Sequence, residues 1–169
     1  MRERTLGIAL AATAACATAA FAGVDAIDSV RIQERRFNDF PNSTLTTTND
    51  FPTLVSFDES AFGTGGWANQ HMAYLSDTAG ASDYAFQNAD GFDISVDVTL
   101  DVGSTAPRKE AGFRFDTFIG GEAFFFATSD GEVAAFGAFF PFYSFGTSAY
   151  TPGDTSTMTI KYRPGDGAR

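Results

Sequence analysis

The sequence has 169 residues, with 11 Lys and Arg against 21 Asp and Glu, and a formal charge of −10. Neutralising phosphates takes clustered cations, so no nucleic acid is expected as a partner, and anionic lipid is disfavoured for the same reason. The single cysteine, Cys16, lies in the N-terminal apolar run, which leaves the rest of the chain without a disulfide, a thiolate nucleophile or a cysteine metal site.

The chain opens MRERTLGIALAATAACATAAFAG. Arg2 and Arg4 precede an apolar run from Leu6 to Ala20, and Ala20-Phe21-Ala22 offers small residues to a signal peptidase. That is the pattern of a secretory signal peptide cleaved after Ala22. The run is too short for a membrane span, which takes about 20 apolar residues, so no integral membrane segment is expected in the mature chain. Thr13-Ala14-Ala15-Cys16 loosely resembles a lipoprotein box that would lipidate Cys16, and is the alternative processing site. Residues 1–22 are read as signal peptide and 23–169 as one domain, secreted to the extracellular space or the cell surface. Removing Arg2, Glu3 and Arg4 with the leader takes the formal charge from −10 to −11, a surface that favours solubility.

Strand signals follow in close order: Ser29 to Glu34 (SVRIQE), Thr53 to Phe57 (TLVSF), His71 to Ser76 (HMAYLS) and a short piece at Tyr84 to Gln87. From Phe92 to Val102 the apolar residues Phe92, Ile94, Val96, Val98, Leu100 and Val102 alternate strictly with Asp93, Ser95, Asp97, Thr99 and Asp101. Successive side chains of a strand point to opposite faces, so this segment has one buried face and one wet one, a sorting no helix can make. Glu110 to Asp116, Glu122 to Thr128, Glu132 to Phe136 and Met158 to Tyr162 complete the set. Turn signals separate them, among them Gly63-Thr64-Gly65-Gly66, Asn88-Ala89-Asp90-Gly91, Gly120-Gly121 and Pro152-Gly153-Asp154, with Asp130-Gly131 placed as a hairpin turn. Eight or nine short strands without a helical period between them predict an all-β, antiparallel β-sandwich, its 19 phenylalanines serving as core in place of disulfides.

Together the leader, FNDFPNST (37–44), NADGFDISVDVTLDVG (88–103), KEAGFRFD (109–116) and the phenylalanine-rich tract resemble exported bacterial proteins of the PEP-CTERM type. The order of strands is similar to the concanavalin A-like, or laminin-G-like, jelly roll. The resemblance implies an exported surface or matrix protein. The sorting tail of that family (a Pro-Glu-Pro motif, a membrane stretch and a basic end) is not in this sequence, so C-terminal truncation is part of the reading.

Jelly rolls host glycosidases, which need two carboxylates across one sugar, about 5–5.5 Å apart for retention. The Glu-x-Asp-x-x-Glu strand motif of laminarinase-like jelly rolls does not occur. Glu110 and Asp116 share a strand face but stand about 20 Å apart at roughly 3.3 Å per residue, so a glycoside hydrolase or lyase would need Asp116 to converge with Glu122 from another strand. Arg114 and Asp116 read as an ion pair on that face and join the candidate ligand-binding residues. His71 is the only histidine, which leaves no zinc site and no Ser-His machinery, and it reads as a strand-face residue with an ordinary partner. Ca2+ is the one cofactor the composition leaves open, with Asp90 and Asp93 flanking a turn as metal ligands. The row Asp93, Asp97, Asp101 reads otherwise as a solvated face that discourages edge aggregation.

FGAFFPFYSFG, residues 136–146, places six aromatic rings in eleven positions. Three readings compete: core filled by Phe136, Phe139, Phe140, Phe142 and Phe145; a stacking platform for sugar rings at Phe142 and Tyr143; and membrane insertion. The core reading is preferred, since buried rings are commoner than exposed clusters. Trp67 sits in the glycine-rich GTGGWANQ, either as a plug at the end of the sandwich or facing a ligand with Asn69 beside it. The functional expectation is a non-catalytic surface or matrix protein that binds polysaccharide or another cell-envelope component through Trp67, Asn69, Phe142, Tyr143, Arg114 and Asp116. Its alternatives are the hydrolase or lyase and a purely structural module.

Overall fold

A computed structural model describes residues 27–62, 68–87, 89–102, 108–116, 121–137 and 140–165. Ten strands run in chain order: β1 Ser29–Asn38, β2 Thr44–Asp50, β3 Leu54–Ser60, β4 Asn69–Ser76, β5 Phe92–Thr99, β6 Glu110–Asp116, β7 Glu122–Thr128, β8 Val133–Gly137, β9 Phe140–Gly146 and β10 Thr155–Tyr162. All pairings are antiparallel, and no helix occurs among the described residues. None, therefore, is long and apolar enough to cross a membrane. The all-β sandwich class follows from the alternation in the sequence.

The strands form three pairs, β1-β4, β5-β10 and β2-β3, and one four-stranded meander, β6-β7-β8-β9. Two apolar clusters lie between them. Val30 from β1 meets Val55 and Phe57 from β3, with Ile32, Leu45, Ala73 and Leu75 around them. Val96, Val98, Leu100 and Met158 from the β5-β10 region meet Ala111 and Ala127, backed by Phe113, Phe125 and Val133 from the meander. Each buried Val, Leu or Met contributes about 1.5–3 kcal/mol relative to exposure, so these clusters carry the stability that disulfides do not. Tyr150, also buried, anchors this core: its hydroxyl accepts from the Leu100 N–H at 2.7 Å and donates to the Asp154 carbonyl at 2.8 Å.

The other face of β5-β10 is a ladder of polar rungs. Ser95 meets Thr159 at 2.8 Å, Thr99 meets Thr155 at 2.7 Å, Thr157 donates to Asp97 at 2.6 Å, and Lys161 pairs with Asp93 at 2.9 Å. Cross-strand pairs of this kind each add a few tenths to about 1 kcal/mol. The alternation that defined β5 thus sorts onto a dry face and a hydroxyl-and-carboxylate face.

Three expectations change. Tyr84 to Gln87 is not a strand; the Tyr84 N–H makes a single backbone bond to the Leu75 carbonyl. TLTTTND, passed over because Leu45 is its only apolar residue, forms β2, where β-branched threonines suit an extended backbone. Phe136, Phe142 and Phe145 are not core: Phe142, Tyr143 and Phe145 are 65%, 59% and 56% exposed, and Phe136 is exposed too, while Phe139 and the Phe140 side chain lie outside the described residues. The second half of the tract is β9, a strand at the edge of the meander, and an edge strand is covered by neighbours on fewer sides than a central one.

Candidate functional site

In β7, EAFFFAT, three consecutive phenylalanines give both faces of the meander an aromatic character. Phe125 points to the core beside Phe113, while Phe124 lies on the opposite face. On that opposite face the rings form a row across three strands. Phe124 on β7 meets Phe136 on β8 at 5.5 Å between centroids, and Phe136 meets Phe142 on β9 at 6.3 Å. Phe126 closes edge-on against Phe136 at 5.6 Å. The Arg114 guanidinium, from β6, sits 6.0 Å above the Phe124 ring, so the row has a cationic end.

That end is polar and crowded. Arg114 donates to Glu122 Oε1, and Arg36 Nη2 from β1 donates to the same oxygen at 3.0 Å. Arg36 Nη1 is buried without a hydrogen-bond partner among the described residues. In the β6-β7 register Asp116 stands directly opposite Glu122 and Arg114 directly opposite Phe124. The row therefore runs from a cluster of two guanidiniums and a carboxylate to a phenylalanine open to water.

The sequence-predicted site residues separate. Arg114 and Phe142 belong to this face, and Asp116 adjoins it in register. Tyr143 follows Phe142 on the strand and so points the other way, packing edge-on against Phe145 at 4.8 Å, which in turn meets Phe125 on the core side. Trp67 lies outside the described residues. Asn69 is a structural residue: its Oδ1 accepts from the Phe40 N–H at 2.9 Å and its Nδ2 donates to Glu59 at 2.6 Å. Asp90 accepts from the Gln87 N–H at 2.7 Å within its turn, and Asp93 pairs with Lys161 and Arg163 on the β10 side. Among the described residues no group of three or more acidic, histidine or cysteine side chains is arranged to hold a metal.

A second polar cluster lies inside the N-terminal strands. Glu59 is buried; its Oε1 accepts from Arg35 at 2.9 Å, Ser43 at 2.5 Å and Asn69 at 2.6 Å, and its Oε2 meets His71 Nε2 at 2.9 Å. His71 Nδ1 faces the Glu34 carbonyl, and the ring stacks on Phe57 at 5.3 Å. Burial pushes the Glu59 carboxyl up, but hydrogen bonds from Ser43, Asn69 and His71, with the charge of His71, outweigh it and hold the group below the ordinary glutamate range. Ser43, His71 and Glu59 are the residue types of a hydrolase triad in the wrong order. The carboxylate sits between hydroxyl and imidazole, so the imidazole does not reach the serine through a bond that would remove its proton. This cluster ties β1, the β1–β2 turn, β3 and β4 together.

No family model, curated protein or solved structure matches this chain. What the chain does must be argued from its own surface. Phe124 and Arg36 were not singled out from the sequence, Glu122 was named only as a carboxylate to converge with Asp116, and Phe136 only as core filling. The available signal was the run Phe124-Phe125-Phe126, which forces at least one ring of a strand away from the core; Arg36, distant in sequence, gave none.

Proposed function

We propose that the chain is an exported, non-catalytic binding module of jelly-roll type that holds a polysaccharide or similar envelope component on the open face of the β6–β9 meander. The row Arg114, Phe124, Phe136, Phe142, with its 5.5 Å and 6.3 Å ring spacings, carries the reading. Flat apolar faces stack on sugar rings, and the partly exposed Arg36 and Glu122 at one end offer a donor and an acceptor for hydroxyl groups. The strip opens toward Phe136 and Phe142, while Arg114 at its other end is nearly buried, so the exposed rings are the part that suits a long, repeating ligand. A polysaccharide at the cell surface or in the matrix has that form.

The test is a glycan array probed with the purified protein, with calcium and with chelator. Binding to a defined polysaccharide that Phe142→Ala reduces about tenfold or more, and Tyr143→Ala leaves unchanged, supports the strip. Absence of binding by the wild type overturns it, and a calcium requirement would bring Asp90 and Asp93 back as ligands.

One observation favours the hydrolytic alternative: Asp116 and Glu122 are cross-strand partners in the β6-β7 register. Against it, Glu122 is engaged by both Arg36 and Arg114, whereas a general acid must hold a proton for the leaving group. Release of reducing ends from a bound polysaccharide, abolished in Glu122→Gln, would establish that reading.

A further inference from the structure

We infer that β9 is a self-association edge, along which two copies of this chain pair antiparallel and extend the meander into one continuous eight-stranded sheet. β9 ends the order β6-β7-β8-β9, so one of its edges pairs with β8 and no described strand pairs with the other. An open edge presents N–H and C=O groups that a further strand can satisfy. Proteins usually guard such an edge with charge, and here there is none: from Val133 to Gly153 the sequence contains no Asp, Glu, Lys or Arg. Pro141 blocks only the start of the strand, and one donor near its end, the Gly146 N–H, is taken by Ser144 Oγ at 3.2 Å.

The same feature selects the occupant. Two copies that each carry −10 repel wherever their acidic surfaces approach, and a long uncharged segment is where they can meet without that cost. β4 is the other edge strand without Asp, Glu, Lys or Arg, but its side chains are buried or half-buried, whereas β9 adds rings more than half exposed. A twofold register centred on Ser144 sets Tyr143 of one copy beside Phe145 of the second, and covers on both the Phe145 ring, which meets Phe125 at the rim of the core, and the Tyr143 ring packed against it. A strand paired with its own copy makes a closed, isologous contact. Tyr143 and Phe145 point to the face opposite the Phe124–Phe136–Phe142 row, so the pairing involves the strand that carries Phe142 but leaves its ring on the other face.

Sedimentation equilibrium of the purified protein over a wide concentration range tests it. The wild type is expected to be a dimer, and Tyr143→Lys, which sets a cation into the edge of each copy, to raise the dissociation constant about tenfold or more. Ser144→Pro removes an N–H at the centre of β9 and serves as the second variant, with far-UV circular dichroism checking that each remains folded. Hydrogen exchange should show the amides of 142–146 protected in the dimer and exposed in Tyr143→Lys. A wild type that stays monomeric, a dimer indifferent to Tyr143→Lys, or open-ended polymers in place of a closed pair would each overturn the inference. Glycan binding by Tyr143→Lys is read separately, so loss of the dimer and failure of the ligand strip give different results.

Discussion

The N-terminal strands and the meander handle polar and apolar groups in opposite ways. Around Glu59, a carboxylate is buried and then supplied with four side-chain donors from three neighbouring segments of chain. In β8 and β9, phenylalanine and tyrosine are left facing water. An enclosed charge with every bond made serves one arrangement and no other, which is the mark of a part that holds the fold. Large rings left uncovered cost the protein free energy that folding does not recover, which is the mark of a surface kept for a partner. Function is therefore sought in the meander and architecture in the N-terminal strands.

Substitutions should divide along that line. Glu59→Ala is expected to have the largest effect, about 3–5 kcal/mol of lost stability in urea unfolding, because it leaves Arg35 and the donors of Ser43, Asn69 and His71 facing a void. A loss below about 1 kcal/mol would mean that water replaces the carboxylate and that the cluster is not the keystone described. Gly137→Ala comes next, at roughly 2–3 kcal/mol. Its φ of 140° disfavours a side chain, and an added Cβ would overlap the backbone of Glu122 and Ala123; thermal unfolding gives the value.

Acid titration sharpens the comparison further. The folded Glu59 carboxyl binds its proton less tightly than the unfolded one, so its contribution is complete above the unfolded value of about 4.3 and fades as pH falls from there toward the lower folded value. Urea midpoints should drop in that window for the wild type and drop less for Glu59→Gln; equal slopes would remove the linkage. The smallest effect on stability belongs to Phe142→Ala, within about 0.5 kcal/mol for so exposed a ring, even though binding to the strip should suffer. If that substitution unfolds the protein instead, Phe142 is part of the fold and the contrast between the two regions fails.

Much of the fold could be read from strict alternation. β5, β6 and β10 stand where alternating apolar and polar residues put them, because one face of each meets a core and the other meets water or polar partners, and β7 was read from its apolar run between turn signals. β2 escaped notice because a threonine strand has no apolar stripe to display. The site was legible only in part. Arg114 and Phe142 could be named, yet pairing Phe142 with Tyr143 as one platform ignored the pleat that sends neighbours to opposite faces. Glu59 was invisible for another reason: its donors Arg35, Ser43 and Asn69 come from 24, 16 and 10 residues away, and no local pattern records which of them a carboxylate will meet.

The β5-β10 pair encloses the whole meander in sequence, since Thr99 meets Thr155 across 56 residues. Strands β6 to β9 each pair with the next along the chain and need only short loops to close, so they can zip early. The β5-β10 ladder must wait until that long loop is drawn together, at an entropic cost that a preformed meander shortens. Tyr150, whose hydroxyl reaches back 50 residues to Leu100, then acts as a latch on the closed ladder, and weakening it should speed reopening more than it slows closure.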